Sequence, residues 1–80
     1  MIEMQRVNSS NVHAVGYNPA TKTLHVQFGQ SADRRMPGKT YAFPGVPPEK
    51  HEGLITARSV GGYFAEHIKP HYNGRVVSSP

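Results

Sequence analysis

The chain has 80 residues, nine Lys and Arg against five Asp and Glu for a net charge of +4, five further histidines, and an isoelectric point near 9.8. So short a chain builds one domain around one small core and buries about 60–65% of the surface its unfolded form exposes. The absence of cysteine excludes a disulfide framework or a thiolate zinc site.

No apolar run reaches the roughly 18–20 residues that span a bilayer, which excludes a membrane partner through a helix. Glu3 and the lack of an early apolar stretch speak against a signal peptide, and a cysteine-free composition fits a reducing cytoplasm. The basic balance favours an anionic partner, nucleic acid first.

Residues 1–8 read as a polar lead-in, with Met4 and Val7 able to dock. Ser9, Ser10 and Asn11 form a turn cluster whose side chains compete for backbone hydrogen bonds. From Val12 to Tyr17 the chain alternates, with His13, Val15 and Tyr17 on one side and Val12, Ala14 and Gly16 on the other. Asn18-Pro19-Ala20-Thr21 is a type I turn, since Asn favours its first position and Pro its second. The next strand, Thr23 to Phe28, has the cleanest pattern, with Leu24, Val26 and Phe28 inward and Thr23, His25 and Gln27 outward. The short turn between the two makes them an antiparallel hairpin.

Residues 29–38 are polar, hold Asp33, Arg34, Arg35 and Pro37, and have no usable period. They read as an extended hairpin loop. A third strand, about Lys39 to Phe43, then leads into Pro44-Gly45-Val46-Pro47-Pro48, where the chain changes from strand to helix. Pro44 ends the pairing, Gly45 permits the bend and Pro48 suits the first helical turn.

The first helix is predicted over Pro48 to Ala57, with His51, Leu54, Ile55 and Arg58 at inner and flanking positions and Gly53 allowing close approach to the sheet. Ser59 is a good N-cap for a second helix, in which Val60, Phe64 and Ile68 recur at spacings of four as the buried stripe. Pro70 stops it, and residues 73–80 read as a flexible tail beyond an anchoring Tyr72. The predicted fold is therefore α+β: a three-stranded antiparallel β-meander followed by two short helices packed on one face, a single domain over residues 9–72.

The ordered set Ser9-Ser10-Asn11-Val12, Val15-Gly16-Tyr17, Leu24-His-Val-Gln-Phe28, Gly38-Lys-Thr-Tyr41-Ala-Phe43, Gly45-Val46-Pro47, Ala57-Arg-Ser59-Val-Gly-Gly-Tyr63-Phe64 and Ile68 resembles the KTSC family. That family is named for a C-terminal domain of some lysyl-tRNA synthetases and also occurs as short stand-alone bacterial and phage proteins. The resemblance spans about residues 6–76 and implies a compact domain with no assigned activity beyond a suggestion of RNA binding. Two departures stand out. Phe43 takes the place of a second Tyr, which favours packing at that position, and the loop between Phe28 and Gly38 is longer than the family pattern.

Catalytic constellations are thin. His51-Glu52 begins like a zinc-protease motif, but Ile55 stands where the second ligand belongs. His67 and His71 are four apart with Pro70 between them, no nucleophile elbow or Gly-rich fingerprint is present, and the acids are scattered. The expectation is a non-enzymatic protein with neither cofactor nor metal site.

Its expected partner is RNA or another single-stranded nucleic acid, met by Lys39, Tyr41, Arg58, Tyr63 and Lys69, which combine phosphate neutralisation with stacking. Phe28, Phe43 and Phe64 are assigned to the core. A first alternative is a protein-interaction module, such as a phage-type modulator of a host protein, using Arg34 and Arg35 in the 29–38 loop. A second is a phosphorylated small ligand at the 59–62 turn, where Ser59, Gly61 and Gly62 lead into a helix N-terminus.

Overall fold

The structure, a computed structural model, describes residues 4–7, 12–29 and 37–77. Its strands are β1 (Gln5–Arg6), β2 (Val12–Asn18), β3 (Thr23–Gly29), β4 (Pro37–Phe43) and β5 (Arg75–Val77). They form one antiparallel sheet in the order β1-β2-β3-β4-β5. Between β4 and β5 lie helix α1 (Pro48–Thr56) and helix α2 (Val60–Tyr63), which runs straight on into a π-helical turn over Phe64–Ile68. Among the described residues no helix is long and apolar enough to cross a membrane.

The α+β class holds, but the sheet has five strands where the sequence reading gave three. Gln5–Arg6, read as lead-in, pairs with Val15 and Ala14 of β2; Arg75–Val77, read as tail, pairs with Ala42, Tyr41 and Thr40 of β4. Both added strands are two or three residues long and mostly exposed. Too short to show an alternating pattern, they are held by the ladder they extend.

The central meander explains the core. Register places Val15 beside Val26 and Tyr41, and Tyr17 beside Leu24 and Phe43, so these residues share one face. Strict alternation would put Val12 on the other face with Ala14. A bulge between Val12 and Ala14 brings Val12 opposite Phe28 instead, which is why Val12 and Val15 are both 1% exposed. Against this face pack Val46, Leu54, Val60, Phe64 and Ile68, completing the predicted helical stripe.

Local chemistry sets each junction. Asn18 Oδ1 accepts the Ala20 N–H at 3.0 Å, tightening the turn after β2. Gly45 takes φ +78°, the left-handed bend that turns the chain out of β4. The Val46 N–H then donates to the Lys22 carbonyl at 2.8 Å and ties the corner to the hairpin. Pro48 occupies the first position of α1, where a missing N–H has no consequence. Ser59 caps α2, its Oγ accepting the Gly62 N–H at 3.1 Å. The close approach at Gly53 is made by the Tyr63 ring of α2, not by the sheet.

Candidate functional site

A groove of about 830 Å³ opens between the β3–β4 hairpin and the segment that leaves the π-turn. One wall is sheet: Phe28, Lys39 and Tyr41, with Gly29 and Gly38 at its end. The opposite wall is Phe64, Lys69, Tyr72 and Asn73, and Phe43 and Gly74 close the floor. The size lies within the range of ligand-binding clefts.

Each wall is positioned by backbone that the sequence dictates. Lys39, Tyr41 and Phe43 are alternate residues of β4 and so project from the same face. Phe28 and Tyr41 meet edge to face, 5.6 Å between centroids at 81°. Phe64 makes the same kind of contact with Phe28 (5.3 Å, 76°) and Phe43 (5.4 Å, 74°), knitting the two walls at their base. On the far wall the Tyr72 N–H donates to the Ile68 carbonyl at 2.9 Å. A Cβ at position 74 would collide with the Phe43 ring, so only glycine lets the chain pass this close. Both neighbours of Asn73 are thereby held.

Three of the sequence-predicted nucleic-acid residues, Lys39, Tyr41 and Lys69, are brought together in this groove. Two are not. Arg58 is exposed in the link between the helices, and Tyr63 lies over Gly53 with its ring tilted against His67, 4.5 Å between centroids. Ser59, Gly61 and Gly62 sit at the α2 cap, away from the groove lining, and the Gly62 N–H is already taken by Ser59. Arg34 and Arg35 lie outside the described residues.

Sequence reasoning missed Asn73, read Tyr72 as an anchor for the tail rather than as part of the binding surface, and counted Phe28, Phe43 and Phe64 as core alone. Phe64 is 8% exposed and belongs to the core and the groove base at once. The signal for Tyr72 was its place just after the Pro70 helix stop, where the chain must turn back toward the sheet.

The remaining histidines are placed without clustering. His51 stacks flat on Tyr17, 4.8 Å apart at 8°, and burial lowers its pKa, with Glu52 pulling the other way. His25 is also lowered by burial, and its Nδ1 has no hydrogen-bond partner among the described residues. The Tyr17 hydroxyl donates to the Val46 carbonyl at 2.6 Å; burial first, and then Glu49, raise its pKa. Among the described residues no three His, Asp or Glu side chains come together in a way that could hold a metal ion.

Comparison with known proteins gives a consistent picture. The family model described as the KTSC domain matches residues 8–72. A protein from Tsukamurella paurometabola is 36% identical over 69 residues, covering 86% of this chain and 92% of its own length. An uncharacterised protein from Stutzerimonas stutzeri is 36% identical over 72 residues, with the same coverage of each chain. The crystal structure of a KTSC domain protein from Yersinia pestis superposes with a TM-score of 0.81 at 30% identity, over 96% of this chain and 99% of the other.

Proposed function

The chain belongs to the KTSC domain family, and from that premise we propose that it is a non-enzymatic binding module for single-stranded nucleic acid, RNA in the first place, acting in the cytoplasm. The observation that carries this reading is the make-up of the groove: each wall contributes one lysine and one tyrosine, Lys39 with Tyr41 and Lys69 with Tyr72. Ammonium groups neutralise phosphates, and exposed ring faces stack on unpaired bases of any kind. No acid and no histidine stands among the described residues that line the groove, so neither charge repulsion nor an evident acid–base pair argues for another ligand or for catalysis. The net charge of +4 adds long-range attraction in the same sense.

Fluorescence anisotropy with a short mixed-sequence RNA at two salt concentrations tests the reading. Binding is expected to weaken with salt by roughly 0.7 in the log–log slope per phosphate engaged. Lys39→Gln and Lys69→Gln should each flatten that slope and weaken all sequences alike. Tyr72→Ala should lose about 1–3 kcal/mol of binding with the slope unchanged. An affinity weaker than about 100 μM at low salt, where non-specific cationic attraction already registers, would overturn it.

A further inference from the structure

We infer that Gly74 is a positioning residue for the groove: its missing side chain sets how close the wall that carries Tyr72 stands to the sheet, and through Tyr72 the grip on a stacked base. The inference rests on the nucleic-acid reading above. The chain between the π-turn and β5 is tied at both ends. At its start the Lys69 N–H donates to the Phe64 carbonyl and the Tyr72 N–H to the Ile68 carbonyl, both at 2.9 Å. At its end Arg75 enters the ladder opposite Ala42. Between these ties the main chain meets the groove floor at Gly74, where an added Cβ would overlap three carbons of the Phe43 ring.

A methyl group at that point forces one side to move, and the surroundings decide which. Phe43 is 5% exposed, its ring lies edge to face with Phe64, and Phe64 is set in turn against Phe28. A ring enclosed to this degree yields only by displacing its neighbours. The chain above it is free to give, because residues 73–76 are exposed. The arc from Tyr72 to Gly74 therefore lifts off the floor and carries with it Tyr72, which is partly buried against the core. Lys69 stays in place, since its own tie to Phe64 precedes the arc. The change thus separates the two contributions made in the groove: stacking is weakened and phosphate neutralisation is kept.

The experiment is anisotropy with the same short mixed-sequence RNA at two salt concentrations, on Gly74→Ala, Tyr72→Ala and the two combined. Gly74→Ala should bind about fivefold more weakly than wild type with the salt slope unchanged, within the range that loss of one stacked base covers. In the Tyr72→Ala background the same change should alter affinity by less than about twofold, because the group it acts through is gone. A steric origin also requires rescue. Phe43→Leu trims the obstructing ring, so Gly74→Ala added to it should leave affinity within about twofold of Phe43→Leu alone. That comparison gives the answer where Gly74→Ala by itself does not fold. Wild-type affinity in a folded Gly74→Ala protein, a flattened slope, an undiminished loss in the Tyr72→Ala background or a failure of the rescue would overturn this inference and leave the nucleic-acid reading standing. Failure of the wild-type protein to bind the RNA would overturn both.

Discussion

Replacing Phe64 by alanine removes the ring that joins the two walls of the groove to the core. Burying a Phe side chain is worth about 1.5–3 kcal/mol, and each of its two edge-to-face contacts adds about 0.5–1.5 kcal/mol. Phe64 is 8% exposed and faces the groove, so water can enter part of the space left behind and the cavity penalty falls short of that in a sealed core. The expected loss is about 3–4 kcal/mol, the lower part of the range for such truncations. A chain of 80 residues has a total stability of about 4–12 kcal/mol, so the variant should be marginal. In urea, with a slope of about 1 kcal/mol per molar, the midpoint should fall by about 3 M. Phe64→Leu keeps most of the volume and should lose only about 1–2 kcal/mol. A Phe64→Ala protein within about 1 kcal/mol of wild type would refute both the buried register of α2 and the aromatic base of the groove.

Tyr17→Phe should destabilise by about 0.5–1.5 kcal/mol, because it orphans the Val46 carbonyl at the strand-to-helix corner while keeping the stack on His51; an unchanged urea midpoint would count against that bond. Because burial holds His25 and His51 below the ordinary 6.5, the unfolded chain binds more protons than the folded one as pH falls through 6.5, and stability is lost in that direction. The thermal midpoint should therefore drop between pH 7.5 and pH 5.5, and the double change His25→Gln, His51→Gln should flatten the drop; a midpoint that holds or rises on acidification would refute the assignment.

The parts of the fold that were legible in the sequence are those where a period repeats. Leu24 and Val26 alternate inward, Val60, Phe64 and Ile68 recur at fours, and each is buried as read. Pro48, Ser59 and Gly45 marked their junctions through backbone chemistry that acts locally. What escaped depended on contacts distant in sequence. Nothing within Arg75-Val76-Val77 distinguishes a strand from a fraying end until Tyr41 of β4 lies beside it. The bulge that turns Val12 inward likewise has no signature in the alternating run from Val12 to Tyr17. Of the predicted nucleic-acid surface, Lys39 and Tyr41 on β4 and Lys69 at the end of the π-turn converge, whereas Arg58 stands in the link between the helices and Tyr63 packs against Gly53 and His67. Residue type suggested the chemistry, but only the path of the chain decides which residues are neighbours.

The widened turn at Phe64–Ile68 has a consequence for the angular order of side chains around the second helix. In a regular α-helix, at 3.6 residues per turn, a spacing of four overshoots a full turn by about 40° at every step. A π-turn carries more residues per revolution, closing here with the Lys69 N–H on the Phe64 carbonyl at 2.9 Å, so a spacing of four falls short instead. The overshoot from Val60 to Phe64 is thus reversed from Phe64 to Ile68, and the three apolar side chains keep to one meridian facing the sheet. The same reversal acts on Lys69. Five residues beyond Phe64 it would stand about 140° away in an α-helix, whereas the wide turn swings it back toward the Phe64 side, and both residues line the groove. One extra residue in a single turn, rather than any choice of amino acid, sets the bearing of a cation.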